Sequence, residues 1–150
     1  MIVEDDLGGS ETQELVKLHL EGMFATSPPE NVFALDLAGL KKPGITFWSA
    51  WIAGRIAGMG ALKDLGDGHG ELKSMRTHPD FLRRGVGSAI LEHIIAVALN
   101  RGMKLLSLET GRGPAFEPAL ALYLRRGFVR GAEFSDYRPN EFSQFLHLNL

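Results

Sequence analysis

The sequence predicts a mixed α+β fold, a largely antiparallel sheet flanked by helices, and three observations carry that prediction. Short runs of aromatic and β-branched residues, such as Ile45-Thr46-Phe47-Trp48, fill the middle of the chain between glycine turns. Other segments place apolar residues at helical spacing, most clearly Ile90, Leu91, Ile94, Ile95, Ala98 and Leu99. The elements run as helices, an antiparallel meander, then strand–helix–strand–helix–strand, unlike the regular alternation of a parallel sheet. The 150 residues suit one domain, 1–150. A chain of this length buries roughly two-thirds of its unfolded surface and needs no covalent staple.

Residues 2–4 read as a short first strand. Ser10 is placed to cap a helix over 11–24, with Leu15, Leu18 and Phe24 among its apolar positions. Ser27-Pro28-Pro29 breaks that helix, and a second short one is expected over 30–40. Lys42-Pro43-Gly44 turns the chain into a strand over 45–52. Gly54 marks a hairpin whose partner strand covers 56–62, and 64–70 reads as a loop. A strand over 71–77 and the turn His78-Pro79-Asp80 lead to the helix over 85–100, which Asn100 and Gly102 stop. A strand over 105–109 precedes a helix over 116–126, where Pro118 is tolerated in the first turn. Gly127 is a natural left-handed cap, and strands over 128–130 and 142–148 close the sheet.

Composition removes several function classes. The chain has no cysteine, which excludes thiol catalysis, disulfides and cysteine-held zinc. No His-x-x-x-His or comparable spacing occurs, so no metal is expected. The net charge of −2 argues against a nucleic-acid surface. The acidic start, MIVEDDLGG, is unlike a signal peptide. The most apolar stretch, 89–99, carries Glu92 and His93 and is too short to cross a bilayer. A cytoplasmic protein that binds neither nucleic acid nor membrane is the expectation.

One segment concentrates chemistry. In Met75-Arg76-Thr77-His78-Pro79-Asp80-Phe81-Leu82-Arg83-Arg84-Gly85-Val86-Gly87-Ser88 a strand ends, a turn follows, and two glycines open the strongest helix. The first turn of a helix leaves N–H groups without partners, and these together with the dipole favour an anion. Gly85 and Gly87 let a phosphate approach the backbone, while Arg83 and Arg84 add positive charge. A P-loop would need Lys-Ser or Lys-Thr after the glycines, and a dinucleotide fingerprint would need a third glycine where Ile90 stands. Both of these phosphate loops fail on the residues present.

The segment resembles motif A of the GNAT superfamily of acyl-CoA-dependent N-acyltransferases, Gln/Arg-x-x-Gly-x-Gly/Ala at a helix start. Gly85 and Gly87 match the glycines, and Leu82 stands at the Gln/Arg position, which shifts weight onto the backbone amides of Arg83 to Ser88. Residues 105–109, then Ala121-Leu122-Tyr123 and Gly127-Phe128, resemble motif B, with Phe116 where that helix often opens on asparagine. The resemblance covers nearly the whole chain. It implies a three-layer α/β/α fold whose central sheet carries a splayed parallel pair, the strands ending at Thr77 and Glu109. It also implies acetyl-CoA as co-substrate. Its pantetheine arm would pair with the backbone around Met75, Arg76 and Thr77, and its pyrophosphate would lie on Arg83, Arg84, Gly85, Val86, Gly87 and Ser88.

Direct acyl transfer to an amine needs a base for the nucleophile and an acid for the departing thiolate. Tyr123 occupies the position of the family's tyrosine acid; as plain structure it would pack beside Phe128. Glu71, four residues before Met75, matches the catalytic glutamate of some members, and a carboxylate on a central strand is costly unless paired or used. Glu109 competes for the same role across the gap. The corresponding structural roles are an ion pair of Glu71 with Lys73 or Arg76, and hydrogen bonding of Glu109 to the Thr110-Gly111 turn. The acceptor, a small-molecule or peptide amine, would meet a pocket drawn from Phe24, Phe47, Trp48, Trp51, Phe134, Asp136 and Tyr137. A non-catalytic acyl-CoA-binding module on the same fold is the alternative. Apolar C-terminal strands at a sheet edge, with the habit of the family, make a homodimer a further expectation.

Overall fold

The computed structural model describes residues Met1–Leu150. In chain order the elements are β1 (Ile2–Glu4), α1 (Ser10–Thr26), α2 (Leu37–Leu40), β2 (Ile45–Ile52), β3 (Arg55–Gly66), β4 (His69–Thr77), α3 (Val86–Asn100), β5 (Leu105–Thr110), α4 (Glu117–Arg126), β6 (Val129–Arg130) and β7 (Gln144–Asn149). The seven strands form one sheet in the order β1-β2-β3-β4-β5-β7-β6. Every neighbouring pair is antiparallel except β4 and β5.

Four local expectations are revised. Gly9, not Ser10, is the N-cap of α1, and no side chain bonds there. The expected helix over 30–40 is a 3-10 turn at Pro29–Asn31 and the single turn of α2, started by Asp36, whose Oδ1 accepts from the Gly39 N–H at 2.8 Å. So short a segment gains too few hydrogen bonds to repay nucleation. Residues 64–70 are not a loop: Asp67 and Gly68, with φ of 55° and 74°, make a two-residue hairpin that lets β3 and β4 run twelve and nine residues. An Asp-Gly pair suits the type I′ turn that such hairpins prefer. Finally, of the two C-terminal strands only the two-residue β6 is at the sheet edge, because β7 lies between β5 and β6.

The helices make three layers. One sheet face packs Phe47, Met59 and Ala61 against Leu15 and Val16 of α1 and Leu40 of α2. The other packs Leu62, Leu72, Leu106, Leu108 and Leu146 against Ile90, Leu91, Ile94 and Ile95 of α3 and Leu120 and Tyr123 of α4. Close approach of α3 depends on Gly60, where an added Cβ would lie 2.7 Å from Met75 Sδ, 2.8 Å from Ile90 Cγ2 and 3.0 Å from Ile94 Cδ1. Overpacking of this kind costs roughly 1–3 kcal/mol. Gly60→Ala is therefore expected to lower the urea unfolding midpoint by a corresponding amount at unchanged m-value.

The parallel pair opens after three registered positions, His69↔Leu105, Gly70↔Leu106 and Glu71↔Ser107. Beyond Glu71, β4 keeps its partner β3 but leaves β5. A bulge accompanies the parting: the β3 register passes from Ala61↔Lys73 to Met59↔Arg76, and Ser74 takes a left-handed φ of 56°. Bulges bend a strand and increase its twist. The His78 N–H donates to the Ala57 carbonyl on β3 at 2.8 Å. Main-chain groups alternate between the two edges of a strand, so those of Thr77 and Met75 face the open side.

Candidate active site

Between the parted ends of β4 and β5 lies a cavity of about 750 Å³, reached by the start of α3, by α4 and by the end of α1. At its α3 end, Gly85 caps the helix in the left-handed conformation with φ of 78°. The first helical bond runs from the Ala89 N–H to the Gly85 carbonyl at 3.0 Å, which leaves the amides of Val86, Gly87 and Ser88 without an acceptor in the chain. A Cβ at Gly85 would meet nothing within 4 Å, and one at Gly87 would touch Leu122 Cδ2 at 3.4 Å and Thr77 Oγ1 at 3.5 Å. The space above these amides is therefore open. Arg83 lines it, whereas the Arg84 guanidinium lies over the Phe81 ring at 5.4 Å. Unpaired amides, open space and the positive end of a fifteen-residue helix fit an anionic phosphate group.

Tyr123 of α4 reaches the cavity from the α3/α4 side. Its ring packs on Phe128 at 5.7 Å, the packing role foreseen for it, yet its hydroxyl makes no hydrogen bond within the chain. Burial pushes the phenol well above its ordinary value, so it holds its proton.

The opposite side of the gap carries both glutamates. Glu71 is only 2 % exposed. Its Oε2 accepts from the Tyr137 hydroxyl at 2.5 Å and from Lys73 Nζ at 3.2 Å, and Lys73 Nζ also donates to the Tyr137 oxygen at 3.0 Å. The Lys73 pairing considered from the sequence is therefore present, closed by an aromatic from a distant loop. Burial pushes the Tyr137 phenol upward, and the Glu71 charge and hydrogen bond push it further. Glu109 has no salt-bridge partner, and it lines the same cavity. Its carboxyl is pushed up to about 7, chiefly by burial, with the Glu71 charge adding and Ser143 and Lys73 opposing. The Ser143 hydroxyl, though close, is buried without a hydrogen bond of normal geometry.

Arg76 is oriented differently from Met75 and Thr77. Its side chain turns toward α1, where Nε donates to His19 Nδ1 at 2.9 Å and Nη2 to the His19 carbonyl at 3.5 Å. Acceptance at Nδ1 places the His19 proton on Nε2 and keeps the ring neutral; burial and then the Arg76 charge lower its pKa to about 3. Both residues line the cavity.

Behind the glutamates, Ser107 Oγ sits 2.7 Å from His69 Nε2 and 2.7 Å from His147 Nδ1, and His147 Nε2 lies 2.7 Å from the Ala132 carbonyl. A carbonyl only accepts, so His147 donates from Nε2, Ser107 donates to His147 Nδ1, and His69 donates to Ser107. Burial lowers the His69 pKa, His147 lowers it further, and Glu71 opposes.

Of the aromatics expected at the pocket, Tyr137 lines it. Phe47 and Trp48 are core, and Phe24 is solvent-exposed. Phe33, with its ring 5.1 Å from that of Tyr137, lines the cavity instead. The couplings of Arg76 with His19 and of Tyr137 with Glu71 span 57 and 66 residues, and no local spacing signals them.

The sequence profile of the Acetyltransferase (GNAT) family matches residues 12–128. The uncharacterised N-acetyltransferase YedL of Escherichia coli (strain K12) is 51% identical over 149 residues, covering 99% of this chain and 94% of that protein. The uncharacterised N-acetyltransferase YsnE of Bacillus subtilis (strain 168) is 49% identical over 146 residues, 97% of each. A solved structure from Klebsiella pneumoniae superposes with a TM-score of 0.82 at 24% identity, covering 100% of this chain and 97% of the other. A GNAT family acetyltransferase from Elizabethkingia anophelis, solved with acetyl-CoA bound, gives 0.72 at 18% identity, covering 100% and 97%.

Proposed function

The chain is an acyltransferase of the acetyltransferase (GNAT) family, and on that premise we propose that it transfers an acetyl group from acetyl-CoA directly to a primary amine, with Glu109 as base and Tyr123 as acid. The observation that carries this reading is the meeting, in one cavity, of three unpaired amides, a carboxyl held near neutrality and a protonated phenol. The amides of Val86, Gly87 and Ser88 would hold the pyrophosphate, with Arg83 beside them. The open main-chain edge at Met75 and Thr77 would take the pantetheine amides as a further strand. The bound donor supplies an acetyl thioester.

Glu109 draws the proton from the acceptor ammonium, freeing the nitrogen lone pair for the acyl carbon. As the nitrogen–carbon bond forms and the carbon–sulfur bond breaks, Tyr123 gives its proton to the departing sulfur; the nitrogen sheds its second proton, which restores the phenol, and Glu109 returns the first to solvent. Glu71 takes a positioning role: it anchors Lys73 and Tyr137, and its charge helps keep Glu109 basic.

Release of CoA measured across an amine panel, beside calorimetric CoA binding, tests the reading. The absence of cysteine leaves the released thiol as the only one a thiol reagent reports. Turnover with several amines is expected; CoA binding without turnover on a broad panel would identify a non-catalytic acyl-CoA-binding module. Tyr123→Phe removes only the hydroxyl and is expected to lower kcat by about 10²-fold. Full turnover in that variant would remove Tyr123 from the mechanism.

A further inference from the structure

The cavity holds an unpaired cation that acetyl transfer does not use. Four of its lining residues on the α1 side are charged: Glu71, Lys73, Arg76 and Glu109. Glu71 and Lys73 satisfy one another. Arg76 and Glu109 appear in no salt bridge of the chain. The only side-chain partner of Arg76 is the neutral imidazole of His19, which fixes the guanidinium through Nε and contributes no charge. Nη1 and the remaining Nη2 hydrogen are free. A half-buried guanidinium without a carboxylate is costly unless something anionic completes it, and its planar fork matches a carboxylate in two parallel hydrogen bonds.

We propose that Arg76 binds a carboxylate of the acceptor, so that the acceptor is an amino-carboxylate whose ammonium group lies at Glu109. This rests on the acetyl-transfer reading for the identity of the reaction, but not for the charge pattern. The placement fits a small molecule. The charges of Lys73 and Glu71 both act on the Glu109 carboxyl, which puts Glu109 near Lys73 across the gap. Arg76 lies three residues further along β4, past the bulge at Ser74. The Arg76 and Glu109 side chains both line the one cavity, so a short amino-carboxylate can meet the two together. The Arg76 side chain turns to the α1 side, away from the α3 amides proposed for the pyrophosphate, so the acceptor rather than the donor is its partner. Lys73 cannot substitute, since both Glu71 and Tyr137 hold it.

The test pairs each common α-amino acid that carries a primary amine, β-alanine and γ-aminobutyrate with its own carboxamide, as acceptors for the protein with acetyl-CoA. The expected result is that for the preferred compounds kcat/KM of the carboxylate exceeds that of the carboxamide by about 10- to 100-fold, the value of one charge-assisted pair. In Arg76→Gln this ratio should fall to near one through the acceptor KM, with Arg76→Lys intermediate because it keeps charge without the fork. Binding of the same compounds to the CoA-saturated protein, measured by calorimetry, gives a second readout that needs no turnover. Carboxylate binding that is lost in Arg76→Gln would support the clamp even if no acceptor reacts, which would defeat only the catalytic reading. Equal use of carboxylates and carboxamides by the wild type would overturn the clamp and leave acetyl transfer standing. So would an Arg76→Gln defect confined to the KM for acetyl-CoA, which would assign the guanidinium to the donor. Circular dichroism of each variant establishes folding, and a misfolded Arg76→Gln leaves the wild-type carboxylate-to-carboxamide ratio to decide.

Discussion

Glu109→Gln is expected to lower kcat by about 10²- to 10⁴-fold at neutral pH, the usual contribution of a positioned general base. The pH profile should identify the cause. A base works as the ionised carboxylate, and the Glu109 carboxyl is held up to about 7. Wild-type activity should therefore rise as pH rises through about 7 and fall away below it. Glutamine does not titrate, so the variant should lose that limb and recover only at alkaline pH, where more of the acceptor amine is already neutral. Glu71→Gln should behave differently. It strips Lys73 of its counter-ion and loosens Tyr137, which is expected to cost stability and acceptor binding while the limb near pH 7 persists, displaced downward as a neighbouring negative charge is removed. If instead Glu71→Gln abolishes the limb and Glu109→Gln retains it, the roles of the two carboxylates are reversed.

Gly85→Val is expected to raise the Kd for CoA by about 10- to 100-fold, more than Arg83→Ala or Arg84→Ala. Gly85 holds φ of 78°, a conformation that costs an ordinary residue about 1–2 kcal/mol and a β-branched one more. Relief of that strain would turn the first turn of α3 and misalign the amides of Val86, Gly87 and Ser88, each able to contribute about 1.5–3 kcal/mol to a charged acceptor. Arg83 is solvent-exposed and Arg84 is turned onto Phe81, so removal of either charge should change affinity only several-fold and mainly at low salt. Calorimetry of CoA binding, with thermal unfolding to separate lost stability from lost contacts, checks the ranking. An arginine variant weaker than Gly85→Val would show that side chains rather than the backbone carry the phosphate.

Much of the site was legible because its features are local. Gly85 and Gly87 opening a strongly periodic helix pointed to the unpaired amides proposed as the anion cradle, and the Ala-Leu-Tyr and Gly-Phe segments placed Tyr123 on the neighbouring helix. The same reasoning misread 64–70, although Asp67-Gly68 is a recognisable hairpin signal; a high density of glycine and aspartate resembles a loop until the flanking strands are seen to pair. It also expected a helix over 30–40, where tertiary packing left two isolated turns.

The amino-acid sequence by itself determined the fold class, the helix that Gly85 opens and the residue types available for acyl transfer, because spacings of two and of three to four residues encode faces and caps. Only the tertiary structure distinguished the two glutamates. Glu71 is engaged by Lys73, two residues away, and by Tyr137, 66 residues away, while Glu109, half-buried where β4 and β5 part, has no counter-ion. It likewise set Arg76 against His19, 57 residues earlier. Charge pairing depends on which groups the sheet brings within a few ångströms and removes from water, and those distances arise only when strands remote in sequence take their places side by side.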